Sequence, residues 1–145
     1  KGLKISRMLN NLDASKIEEL ILEGNYALPF LNHSEFTDIM DIISEFKKLR
    51  YLYLERIPVL CYTAEEYMKE ILKMVKKLPM LIIVSIVLSL SKRPEISQSD
   101  SRYFSNVIME KRHLERLNFV IRDGYHIYLN IHMTKGEIHG NKRYL

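Results

Sequence analysis

The sequence is poor in the residue types that mark several classes of protein. Its 145 residues include no tryptophan, one cysteine, four prolines and five glycines. So little glycine and proline excludes a collagen-like or low-complexity chain. The single cysteine, Cys61, cannot form an internal disulfide, and its apolar neighbours predict that it is buried. The sequence therefore predicts a protein of a reducing compartment.

Long hydrophobic runs are also absent. The longest, Met80–Leu90, spans about 11 residues and includes Ser85 and Ser89, whereas a membrane-spanning helix needs about 20 apolar residues. The run therefore predicts a buried core segment and no association with a membrane. The chain length and the 47% hydrophobic content are typical of one folded domain, 1–145. We expect its core at about 15–117, with a C-terminal extension at 118–145.

Local helix signals dominate the first 80 residues. Ser15 with Glu18, and Thr63 with Glu66, have the spacing of capping boxes, and Gly24 follows the first candidate helix. Asn32 or Ser34 caps a second candidate helix. A third begins after Thr63 and ends before Pro79. Apolar residues recur at intervals of three and four along the second and third helices, at Phe36, Ile39, Met40, Ile43, Phe46 and Leu49 and at Tyr67, Ile71, Met74 or Val75, and Leu78.

The remaining segments are less decisive. Residues 51–62 fit either a strand or a short helical connector, because aromatic residues favour a strand and Pro58 opposes one. The run at 80–90 is apolar almost all round, and we interpret it as a central helix with Ser85 and Ser89 on one face. A further helix is expected after Ser97 or Ser99, with Tyr103, Val107, His113 or Leu114, and Leu117 inside. Arg-Asp-Gly at 122–124 predicts a β-hairpin in an otherwise irregular tail. No internal repeat of 20–50 residues is apparent. The predicted fold class is all-α, a helical bundle.

No catalytic or metal-binding pattern is present. The last three histidines, His126, His132 and His139, match neither a zinc finger nor a metalloprotease helix. There is no glycine-rich phosphate loop and no nucleophile elbow. We therefore predict a protein that is not an enzyme, with no catalytic residues, metal site or cofactor.

Charge is distributed unevenly along the chain. Residues 1–46 carry four Lys or Arg against eight Asp or Glu, and residues 47–145 carry eighteen against ten, which together give the net charge of +4. A basic body of this kind binds nucleic acid or an acidic peptide, or is simply solvated. No RNA-recognition, KH or zinc-finger signature accompanies it.

Several segments follow one another between residues 63 and 113. They are "EEYMKEILKMVKKLP", a compact apolar stretch, "SKRPE", a Ser-rich bridge and "RYFSNVIMEKRH". In this order and spacing they resemble the conserved core of the Iws/Spn family of transcription elongation factors. The resemblance implies an all-α, right-handed helical array like the N-terminal domain of transcription factor IIS. It also implies a nuclear protein, expected to be a monomer, that acts in transcription elongation, chromatin and mRNA processing.

The partner implied by this resemblance is an N-terminal segment of the histone chaperone Spt-six, which links the domain to the RNA polymerase II elongation complex. The implied binding surface is the corner between the last two predicted helices. Leu88 would form its apolar floor, Ser85 and Ser89 a recess, and the cations would pair with carboxylates of an acidic-apolar segment beside an aromatic anchor. The candidate residues are Ser85, Leu88, Ser89, Lys92, Arg93, Arg102 and Tyr103. Alternatively, Leu88 and Tyr103 are ordinary core residues and the serines permit close packing.

The second candidate function is a basic helical module that binds nucleic acid. It would use Lys69, Lys73, Lys76 and Lys77 together with the later cations. We expect such binding to be weak and nonspecific, because no base-reading motif accompanies these charges.

Overall fold

The protein has an α/β fold, and the prediction of an all-α bundle is wrong. The computed structural model describes residues 2–24, 30–60, 64–90, 106–107, 109–123 and 126–135. Within these residues, three helices alternate with the first three strands of a five-stranded mixed sheet, and the other two strands follow. The elements are α1 (Gly2–Asn10), β1 (Glu19–Glu23), α2 (His33–Ile43), β2 (Tyr51–Val59), α3 (Ala64–Lys77), β3 (Ile83–Leu90), β4 (Arg116–Arg122) and β5 (Ile127–Thr134).

The apolar run at 80–90 forms strand β3 and not a central helix. Its side chains alternate between buried and half-buried positions along the whole strand. Branched residues such as Ile83, Val84 and Ile86 favour a strand, and eight residues are a usual strand length. Ser85 and Ser89 do share a face as predicted, because residues four apart lie on one side of a strand as well as of a helix.

The first candidate helix is also wrong. The segment "ELILE" forms β1, whose side chains alternate between exposed and buried. Ser15 does not cap a helix. Its backbone N–H and hydroxyl both donate to Asp13 Oδ1, at 3.0 and 2.6 Å, in the turn that follows α1. Five alternating residues are too few to fix a period, and pairing with β2 decides the outcome.

The predictions for α3 and for the hairpin are confirmed. Helix α2 is confirmed too, but it ends at Ile43, before Phe46 and Leu49 of its predicted stripe. Asn32 Oδ1 accepts from the Glu35 backbone N–H at 2.8 Å, and Glu35 Oε1 accepts from the Asn32 N–H at 3.1 Å, which completes a capping box. Strands β4 and β5 pair antiparallel around residues 123–126. Thr63, Gly124 and the expected helix start at Ser97 or Ser99 lie outside the described residues. Residues 118–134, assigned to a C-terminal extension, are part of the same sheet and core.

The sheet follows an internal repeat that the sequence analysis missed. Strands β1 to β4 lie side by side in chain order and all run parallel, and β5 adds antiparallel to β4. Paired residues are offset by 32 from β1 to β2 and by 33 from β3 to β4. From β2 to β3 the offset is 32 up to Leu54 and 31 from Ile57 onward, after a bulge. The same apolar spacing recurs at each strand, at Ile17, Leu20 and Leu22; Leu49, Leu52 and Leu54; Leu81, Val84 and Ile86; and Leu114, Leu117 and Phe119.

The described helices cover one face of the sheet. Right-handed crossovers between successive parallel neighbours place α2 and α3 on the same side. Helix α1 contacts α2, and α2 contacts α3. Alternate residues of each strand join these helices in a single buried core. The opposite face carries the exposed and half-buried positions of each strand, and none of the described helices packs on it.

Glycine is required where β1 ends, because another backbone approaches it closely. A Cβ at Gly24 would lie 2.2 Å from the Arg56 carbonyl oxygen. The Gly24 N–H donates to the Glu55 carbonyl at 2.8 Å. Arg56 itself has φ of 52°, in the left-handed region, at a bulge between Leu54 and Ile57. The bulge turns the Arg56 side chain toward Glu23, with which it pairs.

Candidate protein-interaction face

The uncovered side of the sheet, which we call the open sheet face, is a continuous surface built from all five strands. Its rows follow the strand register, so residues from distant parts of the chain lie next to one another. Its residues are Glu19, Ile21 and Glu23 on β1; Tyr51, Tyr53 and Glu55 on β2; Ile83, Ser85, Val87 and Ser89 on β3; Arg116, Asn118, Val120 and Arg122 on β4; and Asn130, His132 and Thr134 on β5.

The β1–β2 half of this face is acidic and aromatic. Glu19, Glu23 and Glu55 surround Tyr53 and the 60% exposed Ile21. Glu23 is neutralised by Arg56. Glu55 has a weak contact at 3.5 Å, the distance from the Ser85 hydroxyl to Glu55 Oε1. These contacts leave a net negative surface.

Strand β3 forms the centre of the open sheet face and contains two of the predicted site residues. Ser85 and Ser89 are half-buried on this face, where they lie between larger neighbours. Leu88 lies on the other side of the strand and is 0% exposed, in the core. The structure therefore brings the two serines to a surface but places Leu88 where no partner reaches it.

The β4–β5 half is basic and polar. Arg116 and Arg122 lie at opposite ends of β4, with Val120 between them. Arg122 Nε donates to the Asp123 carbonyl at 3.2 Å. Among the side chains that the structure describes, no carboxylate forms an ion pair with either arginine. His132 Nδ1 and Asn118 Oδ1 are hydrogen-bonded across the paired strands, which fixes both side chains on this face.

Lys92, Arg93, Arg102 and Tyr103 lie outside the described residues. The helix–helix corner expected to hold the site is not formed, because its first helix is strand β3. Within the described ranges, no group of His, Cys, Asp and Glu side chains is placed to hold a metal ion. None of the helices described is both long and apolar enough to cross a membrane.

A second charged surface lies at the edge of the sheet where the parallel strands begin, and it consists of lysines that cap helix ends. Lys47 Nζ donates to the Lys77 carbonyl at 3.0 Å, and Lys111 Nζ donates to the Lys76 carbonyl at 3.2 Å, so both bind the C-terminal end of α3. Lys135 Nζ reaches the carbonyls of Lys111 and Arg112, at 2.7 and 3.2 Å. Burial lowers the pKa of Lys111, and repulsion from Lys47 adds to this effect.

The comparisons with known proteins do not identify a family. No protein-family model matches the chain, and no relative is found among curated proteins. The assignment of function therefore rests on the geometry of the open sheet face and on its charges.

Most residues of the open sheet face were not predicted from the sequence, because the repeat of the apolar spacing was not recognised. The repeated spacing of apolar residues, such as Leu49, Leu52 and Leu54, was the signal that could have shown it. Alternate residues between those positions, such as Tyr51 and Tyr53, then become surface candidates.

Proposed function

We propose that this protein is a non-enzymatic protein-interaction domain whose open sheet face binds an extended, acidic and apolar segment of a protein partner. The observation that carries the proposal is the pair of arginines on β4, Arg116 and Arg122, which flank an apolar strip without carboxylate partners among the described side chains. A surface that joins apolar area with cations of this kind favours a segment with the same pattern and opposite charge.

The shape of the central strip supports an extended ligand. Ile83 and Val87 on β3 and Val120 on β4 provide half-buried apolar surface, and Val87 is directly paired with Val120. Ser85 and Ser89 are small beside them and leave room for bulky partner side chains. An extended segment places alternate side chains on this surface, with a repeat that matches the strand.

The acidic half then orients the segment. Carboxylates of the partner are attracted toward Arg116 and Arg122 and repelled by Glu19 and Glu55. Charge complementarity of this kind fixes the orientation and raises the association rate more than it raises affinity. The partner is therefore expected to be acidic over β4 and neutral or basic over β1.

The architecture also fits an interaction domain. A strand with the spacing L-x-x-L-x-L followed by a helix is the unit of leucine-rich repeats, although their usual period, about 20–29 residues, is shorter. Proteins of this kind stack their repeats into extended surfaces that bind other proteins. The likeness is one of architecture only.

The more specific function implied by the Iws/Spn resemblance has lost its structural basis. That family has a helical bundle, and the described residues of this chain form an α/β fold. Binding of Spt-six, the link to RNA polymerase II and a nuclear location remain predictions that rest on the sequence alone. The acidic-apolar character of the partner is the part of the earlier hypothesis that the open sheet face supports.

The edge where the parallel strands begin favours a second candidate function, nonspecific binding of nucleic acid. Lys76 and Lys77 lie beside Lys47 and Lys111, because those two ammonium groups bind their carbonyls. Lys69 instead pairs with Glu65 on the surface of α3, at 3.3 Å. A nucleic-acid surface would therefore centre on Lys47, Lys76, Lys77 and Lys111 and not on Lys69.

The proposal is tested with three pools of fluorescein-labelled dodecapeptides, one acidic and apolar, one basic and apolar, and one neutral. Fluorescence polarisation at ~150 mM salt should show the strongest binding for the acidic pool. The double variant Arg116→Glu/Arg122→Glu should weaken that binding at least tenfold, about 1.4 kcal/mol. Preference for the basic pool, or an unchanged affinity of the variant, would contradict the proposal.

The matched control is Lys69→Glu/Lys73→Glu, which makes the same change of charge on the exposed side of α3. It should leave binding of the acidic pool within about twofold, since charges further apart than the Debye length of about 8 Å are largely screened. Labelled duplex DNA, titrated at ~50 and ~200 mM salt, tests the second candidate. Sub-micromolar binding of the duplex at the higher salt would rank nucleic acid above the peptide.

A further inference from the structure

A groove lies between the C-terminal ends of α1 and α2, away from the open sheet face. It has a volume of about 260 Å³. Its floor is apolar, and two carboxylates stand at its rim. The floor residues are Leu9, Leu12, Ile42 and Phe46, and the rim residues are Asp41 and Glu45.

The rim carboxylates have no partner within the part of the chain that the structure describes. Asp41, in the last turn of α2, and Glu45, just after that helix, are both exposed and line the same groove. Two lysines close in sequence to the groove residues, Lys16 and Lys48, interact with Asp13. Lys16 Nζ lies 3.7 Å from Asp13 Oδ2. The hydrogen bonds of Ser15, above all, lower the pKa of Asp13, and Lys48 adds to this effect.

Elsewhere along this edge of the sheet, lysine ammonium groups of the chain itself bind the carbonyls at the end of a helix. At the end of α3, Lys47 and Lys111 supply ammonium groups, and Lys135 supplies one to the carbonyls of Lys111 and Arg112. In the described residues, no Lys or Arg side chain donates to the C-terminal carbonyls of α1 or α2. These two helix ends carry negative partial charge, to which the two carboxylates add.

We propose that the groove between α1 and α2 binds a lysine side chain of a protein partner, on a short segment with apolar residues on either side of the lysine. The ammonium group meets Asp41 and Glu45, and the flanking apolar side chains cover Leu9, Leu12 and Phe46. The partner's lysine thus takes the place that Lys47 and Lys111 fill at the end of α3. This site differs from the open sheet face in position and in the charge of its ligand.

The test uses three synthetic peptides, acetyl-Gly-Leu-X-Leu-Gly-amide, with lysine, norleucine or glutamate at X. Carbon-detected methyl spectra of the full chain are recorded during titration. The lysine peptide should shift the methyl signals of Leu9, Leu12 and Ala14, and it should bind at least tenfold more tightly than the norleucine peptide. Equal binding of the norleucine peptide, or shifts confined to other regions, would refute the proposal.

Variants of groove residues separate the contribution of the two carboxylates from that of the apolar surface. Asp41→Asn/Glu45→Gln should weaken binding of the lysine peptide at least tenfold, and the fold should persist because both side chains are exposed. Ala14→Leu, which fills the groove from the loop after α1, should abolish binding. The control Glu110→Gln/Glu115→Gln removes the same charge from exposed positions elsewhere and should change nothing. Undiminished binding by either groove variant would assign the peptide to another surface.

Discussion

The two halves of the open sheet face differ in charge although the same kind of repeat builds them. On β1 and β2, the outward positions hold Glu19, Glu23 and Glu55. On β4, the outward positions hold Arg116 and Arg122. The inward positions of the same strands keep the same apolar spacing. Burial therefore constrains one side of each strand, whereas the other side is free to acquire a binding preference.

The halves also end differently. The β1–β2 half ends at Gly24, where two backbones meet, and at the bulge of Arg56. The β4–β5 half ends in a hairpin that Asp123 closes with its side chain. Backbone packing thus stabilises the end of the acidic β1–β2 half, and side-chain hydrogen bonds stabilise the end of the basic β4–β5 half. Mutations can perturb each end separately.

The largest effect is expected for Gly24→Val at the acidic end. Its Cβ would meet the Arg56 carbonyl at 2.2 Å, so β1 and β2 must separate there. We expect a loss of about 3 kcal/mol in the free energy of unfolding, measured by urea denaturation. Ile21→Thr, on an exposed side chain of the same strand, should change it by less than about 0.5 kcal/mol. A stability of Gly24→Val equal to that of the parent would show that the close approach does not exist.

A smaller loss is expected for Asp123→Ala at the basic end. Asp123 Oδ1 accepts from the His126 backbone N–H at 2.7 Å, and Oδ2 accepts from the Tyr128 hydroxyl. Removing these half-buried, charge-assisted bonds should cost about 2 kcal/mol. Tyr128→Phe keeps the ring and loses one bond, so it should cost about half as much. If Tyr128→Phe costs as much as Asp123→Ala, the turn does not depend on the Asp123 carboxylate in the way described.

Charge reversal in the acidic half tests how much the charge difference between the two halves contributes to peptide binding. Glu19→Lys/Glu55→Lys leaves Glu23, which pairs with Arg56, as the remaining acid among the residues of the open sheet face. Surface charges contribute little, so we expect a combined effect of about 1 kcal/mol. Binding of the acidic peptide pool should therefore rise by up to about fivefold at ~50 mM salt and by less at ~200 mM salt. Weaker binding of the acidic pool by this variant would mean that Glu19 and Glu55 contact the peptide directly.

The smallest effect concerns the ionisation of Lys111. Burial lowers its pKa below the ordinary 10.5, and Lys47 contributes further. Between the lowered pKa of Lys111 in the folded state and its ordinary value, the folded state binds fewer protons than the unfolded state. The contribution of Lys111 to the free energy of unfolding therefore increases as the pH rises through that window. Nuclear magnetic resonance titration of the Lys111 side chain should show the lowered pKa. In Lys47→Met it should rise only in part, because burial, the larger cause, remains.

The sequence predicts the segments whose structure is set locally. The cap at Asn32 and the apolar spacing of α2 are contained within a few residues of one another, and both are confirmed. Strands β1 and β3 were assigned to helices because their apolar runs are short or unbroken, and their pairing depends on residues 32 positions away. Of the candidate site, Ser85 and Ser89 do reach a surface. Arg116 and Arg122 could not be singled out without the strand register.

The near-constant offset of 31 to 33 residues between neighbouring parallel strands makes the fold extensible. Duplication of one unit, for example from Leu49 to Met80, would insert one strand and one helix without altering the register on either side. Each added unit would widen the open sheet face by one strand spacing, about 4.8 Å, and supply a new row of outward positions. A lineage, or a designer, can therefore change the width of the recognition surface in fixed steps, separately from its charge.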